Sequence, residues 1–124
     1  MKLEKQVVSL ELAKKLKELG VPQTAHFEWQ KWKTEGSRKI EWEVHEGYGD
    51  FTEDWYSAFT VAELGEMLQT DQGLLIPVPV DGRWNAPSPK NGQVVNLGRR
   101  VNITEADARA KMLIYLIENN LIKV

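Results

Sequence analysis

The sequence predicts a single α+β domain, residues 1–124, in which three helices pack mainly on one face of an antiparallel sheet of about four strands. Three segments repeat their apolar residues with the period of a helix and begin with capping residues. Stretches between them alternate apolar and polar residues, as strands do. The predicted order is α-β-β-α-β-β-α, and no internal repeat interrupts it.

The first helix begins after Ser9, a residue type that caps helix N-termini well. Its apolar residues share one helical face: Leu12, Ala13, Leu16 and Leu19. Gly20 is placed to end the helix in a left-handed conformation, and Pro22 follows it. The lysines of this helix are expected to face solvent; the alternative is that they contact a phosphate or a partner.

An antiparallel hairpin is predicted between residues 24 and 46. A two-residue loop would set Glu28 opposite Glu43, and like charges directly opposite each other are unfavourable. A four-residue loop at 35–38 sets Glu28 opposite His45 instead. We therefore expect the register of the four-residue loop.

The second helix, about residues 61–68, begins with a capping box in which Thr60 is the N-cap and Glu63 the N3 residue. Gly65 lies in its interior and costs up to about 1 kcal/mol relative to alanine. Close packing of a neighbouring element or a functional requirement would explain Gly65, and we expect close packing.

Residues 74–80 have the composition of a strand, but Pro77 and Pro79 cannot donate to a β-ladder. This segment is therefore expected at a sheet edge or in an extended connection. Asp81 and Gly82 offer a turn directly after it.

From residue 85 onward the sequence predicts a loop, a strand and the last helix. Residues 85–92 are rich in turn formers and are expected to form a loop, and residues 93–103 a strand with a bulge or bend at Gly98. Thr104 begins the last helix, which is expected to be the most buried of the three. Residues 119–120 supply a left-handed exit from it.

Composition excludes several classes of protein. Sixteen basic and eighteen acidic residues give a net charge of −2, so general binding to polyanions is not expected. The chain has no cysteine, which excludes disulfides, thiolate metal sites and a cysteine nucleophile. No signal peptide and no apolar run of roughly 20 residues is present. We expect a cytoplasmic protein that does not associate with membranes.

Three segments of the chain jointly carry a resemblance to a known family: residues 2–20 (KLEKQVVSLELAKKLKELG), 56–68 (YSAFTVAELGEML) and 105–119 (EADARAKMLIYLIEN). They resemble a family of small proteins of phages, prophages and related mobile elements, to which no activity is assigned. The resemblance covers a little over a third of the chain. It implies a mobile-element origin and a host-cell location, supports the fold, and supplies no catalytic residue.

The outer face of the predicted hairpin carries two imidazoles and several carboxylates: His26, Glu28, Glu41, Glu43 and His45. Such groups can ligate zinc or iron. Alternating polar residues also occur on any solvated strand face, and we favour that interpretation. Because the sequence also lacks known catalytic motifs, it predicts a protein that is not an enzyme and that holds no cofactor or metal.

The five tryptophans divide into two groups. Trp29 and Trp42 have the parity of the core face. Trp32 falls on the polar face of its strand, and Trp55 and Trp84 lie beside loops, so these three are the candidates for binding a partner. The alternative is that they cover the ends of the sheet.

Charge is unevenly distributed along the chain. Residues 47–81 contain acidic residues and no basic one. Six of them are candidates for a patch that engages a basic host surface: Asp50, Glu53, Asp54, Glu63, Glu66 and Asp71. The alternative is that they solubilise a loop and stabilise a helix N-terminus.

Basic residues follow in the last third: Arg83, Lys90, Arg99 and Arg100. Near Trp84 they could form a small surface for single-stranded nucleic acid. No RNA-binding signature accompanies them.

The leading hypothesis is a non-enzymatic accessory protein of a phage or prophage that binds a host or phage protein. The alternative is a small nucleic-acid-binding module, and a third hypothesis is a metal-dependent enzyme at His26 and His45. A homodimer is compatible with all three.

Overall fold

The computed structural model contains helices and antiparallel sheets, which confirms the α+β class. It describes five stretches of the chain: residues 2–33, 40–47, 55–71, 73–90 and 92–123. Within these stretches the strands form two three-stranded sheets and one two-stranded ribbon. The expectation of one sheet of about four strands is therefore wrong.

The described residues form four helices: α1 (Leu3–Gln6), α2 (Leu10–Glu18), α3 (Val61–Met67) and α4 (Glu105–Glu118). The strands are β1 (Phe27–Lys33), β2 (Ile40–Glu46), β3 (Trp55–Ser57), β4 (Gln69–Thr70), β5 (Gly73–Leu74), β6 (Val78–Val80), β7 (Arg83–Pro87) and β8 (Val94–Arg99). The three longer helices correspond to the three predicted ones. The one-turn helix α1 was not predicted.

Helix α2 ends as its sequence predicts. Gly20 has a φ of 92°, and its N–H donates to Lys17 O at 3.0 Å. The N–H of Val21 donates to Leu16 O, also at 3.0 Å. These two bonds form a Schellman motif, which satisfies carbonyls at the helix end and directs the chain back toward the core.

The first sheet has the order β2-β1-β3. Glu28 lies opposite His45, and Trp29 lies opposite Val44. This register is the one expected for a four-residue loop, although residues 35–38 themselves lie outside the described residues. The Trp29 indole donates to Val8 O at 2.8 Å, so this ring has the structural role expected of it.

The second sheet has the order β6-β7-β8, with β6 at one edge. Pro79 lies in that edge strand, as expected for a proline, which has no backbone N–H to donate to a second neighbouring strand. Asp81 and Gly82 have φ angles of 51° and 74° and join β6 to β7 in a two-residue turn. Two consecutive positive φ angles are typical of the type I′ hairpin turn, whose twist matches that of the strands.

Two expectations for this region are wrong. Residues 85–87 belong to β7 rather than to a loop, because they pair with β8. Residues 101–103 form a turn rather than the end of a strand. The bulge expected near Gly98 is confirmed: Trp84 lies opposite Gly98 and Asn85 opposite Asn96, which leaves Leu97 as an extra residue in β8.

The core joins the three longer helices to both three-stranded sheets. Phe59, Leu16, Leu64 and Leu116 are among its fully buried side chains. Helix α4 has seven buried residues, which confirms that it is the most buried helix. In the part of the chain that the structure describes, no helix has both the length and the apolar character needed to cross a membrane.

Candidate functional site

The solvent-facing side of the second sheet carries exposed apolar residues. Trp84, Ala86 and Leu97 point into the core, and the residues that alternate with them point outward. We call this surface the outer face; its residues are Val78, Val80, Arg83, Asn85, Pro87, Val94, Asn96 and Arg99. The three valines are 50%, 49% and 68% exposed, respectively. Exposed apolar residues on one face of a sheet make that face a candidate interaction surface.

Two arginines lie directly opposite each other on the outer face. Arg83 of β7 pairs with Arg99 of β8, and Val80 of β6 is the next residue in the same row. Like charges in directly opposed positions destabilise a sheet. Neither guanidinium forms an ion pair or hydrogen bond with another described residue. The two positive charges are therefore available to an acidic group from outside the chain.

Arg100 lies beside this pair, near the β6-β7 turn. Its N–H donates to Gly82 O at 2.9 Å, and its guanidinium carbon lies 5.8 Å from the centre of the Trp84 ring. Lys90 follows β7, at the strand end away from this turn. The structure thus places Arg83 and Arg99 opposite each other, whereas the Arg100 guanidinium lies over the inward-facing Trp84 and Lys90 lies at the other end of β7.

Trp84 is buried, with 7% of its surface exposed. Its indole N–H donates to Ile103 O at 3.3 Å. The expectation of an exposed ring is wrong, because Trp84 has the inward parity of β7 between the outward-facing Arg83 and Asn85. Most of its ring surface is therefore not available for stacking on a base.

Trp55 is half-buried and contacts α2. The Lys17 ammonium lies 5.1 Å from the centre of its ring and donates to Trp55 O at 2.9 Å. Lys14 lies in the same way over Trp42, at 5.2 Å. These lysines therefore stack on aromatic rings as well as facing solvent. The contacts support the alternative that Trp55 covers an end of the sheet.

Trp32 lies in β1 opposite Glu41, and its side chain is not among those described.

The histidines of the hairpin each contact a separate carboxylate. His26 Nε2 lies 2.8 Å from Glu46 Oε1, and His45 Nε2 lies 2.9 Å from Glu43 Oε2. Glu28 is only 3% exposed, so the expectation of a solvated face is wrong for this residue; its carboxylate accepts a bond from the Gln30 side chain at 3.2 Å. Among the described residues, no group of three or more potential ligands is arranged to hold a metal ion.

The acidic candidates are only partly described. Asp50, Glu53 and Asp54 lie outside the described residues. Glu63 completes the predicted capping box, because its Oε1 accepts the Thr60 N–H at 2.9 Å, and its Oε2 accepts the His26 N–H at 3.1 Å. Glu66 and Asp71 are exposed. Glu63 therefore stabilises a helix start, which supports the structural alternative for this residue.

Sequence reasoning did not identify the valines of the outer face. The signal was present in the alternation of Val78 and Val80 around Pro79 in a segment predicted to lie at a sheet edge. The pairing that joins these valines to the arginines becomes visible only in the structure.

Comparison with models of known protein families finds no match to this chain. Searches of curated proteins and of solved structures likewise find no match. The resemblance to mobile-element proteins therefore stays a prediction.

Proposed function

We propose that the protein is a non-enzymatic accessory protein that binds another protein through the outer face. The observation that carries the proposal is the opposition of Arg83 and Arg99 beside exposed valines. A partner with acidic residues next to an apolar patch would relieve the repulsion and remove the valines from water. Burial of each half-exposed valine would contribute about 1 kcal/mol.

The edge of the sheet favours binding across the face rather than addition of a strand. Pro79 lies in the middle of the edge strand β6 and has no N–H to donate. A partner strand that paired with β6 would lose one ladder bond there. The side chains of the outer face, in contrast, remain exposed for contact with a partner. Side-chain contacts are therefore the proposed mode of recognition.

The resemblance to mobile-element proteins indicates the origin of the protein and the cell in which it acts. We propose that the protein originates from a phage or prophage and acts in the cytoplasm of the host cell, on a host or phage protein. A pairing of two copies through the outer face would bring the four arginines of the two copies together. Charge therefore favours a different protein as the partner.

The alternative function is binding of single-stranded nucleic acid by Arg83, Arg99 and Arg100. The opposition of Arg83 and Arg99 supports it, because phosphates would neutralise both charges, whereas the Arg100 guanidinium lies over the inward-facing Trp84. The burial of Trp84 argues against it, since base stacking provides much of the affinity of such modules. The position of Lys90 away from the arginines also reduces the charge of the surface.

The test is affinity capture from a host-cell lysate treated with nuclease, using the wild-type protein, the Arg83→Gln/Arg99→Gln variant and a Lys111→Gln/Lys123→Gln control. The control removes the same charge from exposed positions off the outer face. We expect one discrete protein, held by the wild type and the control and lost by the arginine variant. Binding should then be reproduced with that protein purified.

Two outcomes would contradict the proposal. Retention of the same protein by the arginine variant would place the interaction elsewhere. Recovery of nucleic acid alone, with affinity that falls steeply as salt rises, would favour the alternative function.

A further inference from the structure

We propose that a groove lined in part by Trp84 and Arg100 binds a small carboxylate with an apolar body. The groove is lined by α1, the first residue of β1, the start of α3, Trp84, Arg100 and residues 103–105. Its volume is about 680 Å³, which is within the range of pockets that bind small molecules. The inference does not depend on the proposed function, since the groove is a separate surface.

The lining of the groove is mainly apolar. Leu3, Phe27, Val61 and Ile103 contribute hydrocarbon and ring surface. Trp84 also lines the groove, and its indole N–H is already bonded to Ile103 O. A ligand body that fills this space would gain affinity from burial of apolar surface rather than from hydrogen bonds.

The charged residues of the lining leave an excess of positive charge. Lys5 and Arg100 are exposed at the groove, and neither forms an ion pair with another described residue. The carboxylate of Glu105 also lines the groove, but its Oε1 lies 3.0 Å from Arg109 Nη2. That contact neutralises the acid, so Lys5 and Arg100 determine the charge that a ligand meets.

These features together select the class of ligand. An organic cation would be repelled by Lys5 and Arg100. A nucleotide or other polyphosphate would find two cations on a mainly apolar surface and no phosphate-binding loop in the sequence. A single carboxylate attached to an aliphatic or aromatic body matches both the charge and the apolar lining. Arg100 is held over the Trp84 ring, which limits the positions that its guanidinium can take.

The experiment is an NMR titration of the ¹⁵N-labelled full chain with 4-phenylbutyrate, 4-phenyl-1-butanol and 4-phenylbutylamine. The three probes share one apolar body and differ in charge. We expect 4-phenylbutyrate to shift the amide signals of Phe27, Val61 and Ile103, with an affinity about fivefold to tenfold above that of the alcohol. The amine should bind more weakly than the alcohol.

Four variants locate the binding. Lys5→Gln and Arg100→Gln should each weaken binding of 4-phenylbutyrate about fivefold, whereas Lys111→Gln, outside the groove, should leave it unchanged. Ala62→Trp places a large side chain in the groove from an exposed helix position and should abolish binding. The signals of the other residues report whether each variant is folded.

The inference is overturned if the alcohol binds as tightly as the carboxylate. It is also overturned if none of the three probes shifts groove signals at millimolar concentration. The Arg83→Gln/Arg99→Gln variant should bind 4-phenylbutyrate like the wild type. Failure of the groove proposal is therefore distinguishable from failure of the outer face to bind a protein.

Discussion

The guanidinium of Arg109 fills the space beside Gly65 that a side chain would need. A Cβ built on Gly65 would overlap Arg109 Nη1. The same Nη1 donates to Val61 O at 2.9 Å, and Nη2 contacts Glu105 Oε1 at 3.0 Å. Arg109 thus joins α4 to the start of α3, and the close packing expected at Gly65 is confirmed.

Gly65→Ala should destabilise the protein although alanine is the better helix former. The substitution gains up to about 1 kcal/mol in helix propensity. It also displaces Arg109 from its bond to Val61 O, at a cost of about 1.5–3 kcal/mol for a bond to a charged group. We expect a net loss of about 1 kcal/mol in the free energy of unfolding, measured by urea denaturation.

The Arg109→Ala background supplies the control. With the guanidinium removed, Gly65→Ala should stabilise the protein by up to about 1 kcal/mol. The effect of the alanine thus reverses sign between the two backgrounds. The same sign in both backgrounds would show that Arg109 does not determine the identity of residue 65.

Asp107→Ala should destabilise the protein by removing a bond between α2 and α4. The Asp107 carboxylate accepts the N–H of Ser9 at 2.7 Å, which connects the start of α2 to the first turn of α4. Its removal leaves that part-buried N–H without a partner, at a cost of about 1–3 kcal/mol. Thermal unfolding measures the loss. Asp71→Ala, at an exposed position, should change stability by less than about 0.5 kcal/mol.

Gly20→Ala should weaken the end of α2. The φ of 92° at this position is unfavourable for an L-residue with a Cβ, and we expect a loss of about 1–2 kcal/mol in unfolding free energy. Gly20→Asn should cost less, because asparagine tolerates the left-handed region better. Equal losses for alanine and asparagine, measured by denaturant unfolding, would contradict this explanation.

Features fixed by neighbouring residues were the ones that the sequence predicted well. The capping box at Thr60 and Glu63 and the helix end at Gly20 depend on residues within one helical turn. The hairpin register followed from the charges of Glu28 and Glu43, because the four-residue loop avoids the opposition that the two-residue loop would create. In each case the deciding interaction was local or lay within one hairpin.

The pairing of β7 with β8 depends on interactions that sequence patterns do not show. Residues 85–87 have loop composition, and only the partner strand makes them a strand. The extra residue Leu97 then shifts the register by one. Without it, Arg83 would lie opposite Gly98 instead of Arg99. The opposition of Arg83 and Arg99 is therefore a consequence of the bulge. The sequence identified both arginines as candidates, but it could not show that they lie opposite each other.

Arg99→Glu should increase stability and abolish partner binding in one substitution. The change places a carboxylate opposite Arg83, and an opposite-charge pair at this position should raise the free energy of unfolding by about 0.2–1 kcal/mol. The same change removes the charge that an acidic partner would contact. Lys111→Glu, off the outer face, is the control and should leave both properties nearly unchanged. Urea denaturation and binding to the captured partner measure the two effects. A variant that gains stability and keeps its partner would show that Arg99 lies outside the binding surface, since a fold defect could not explain that result.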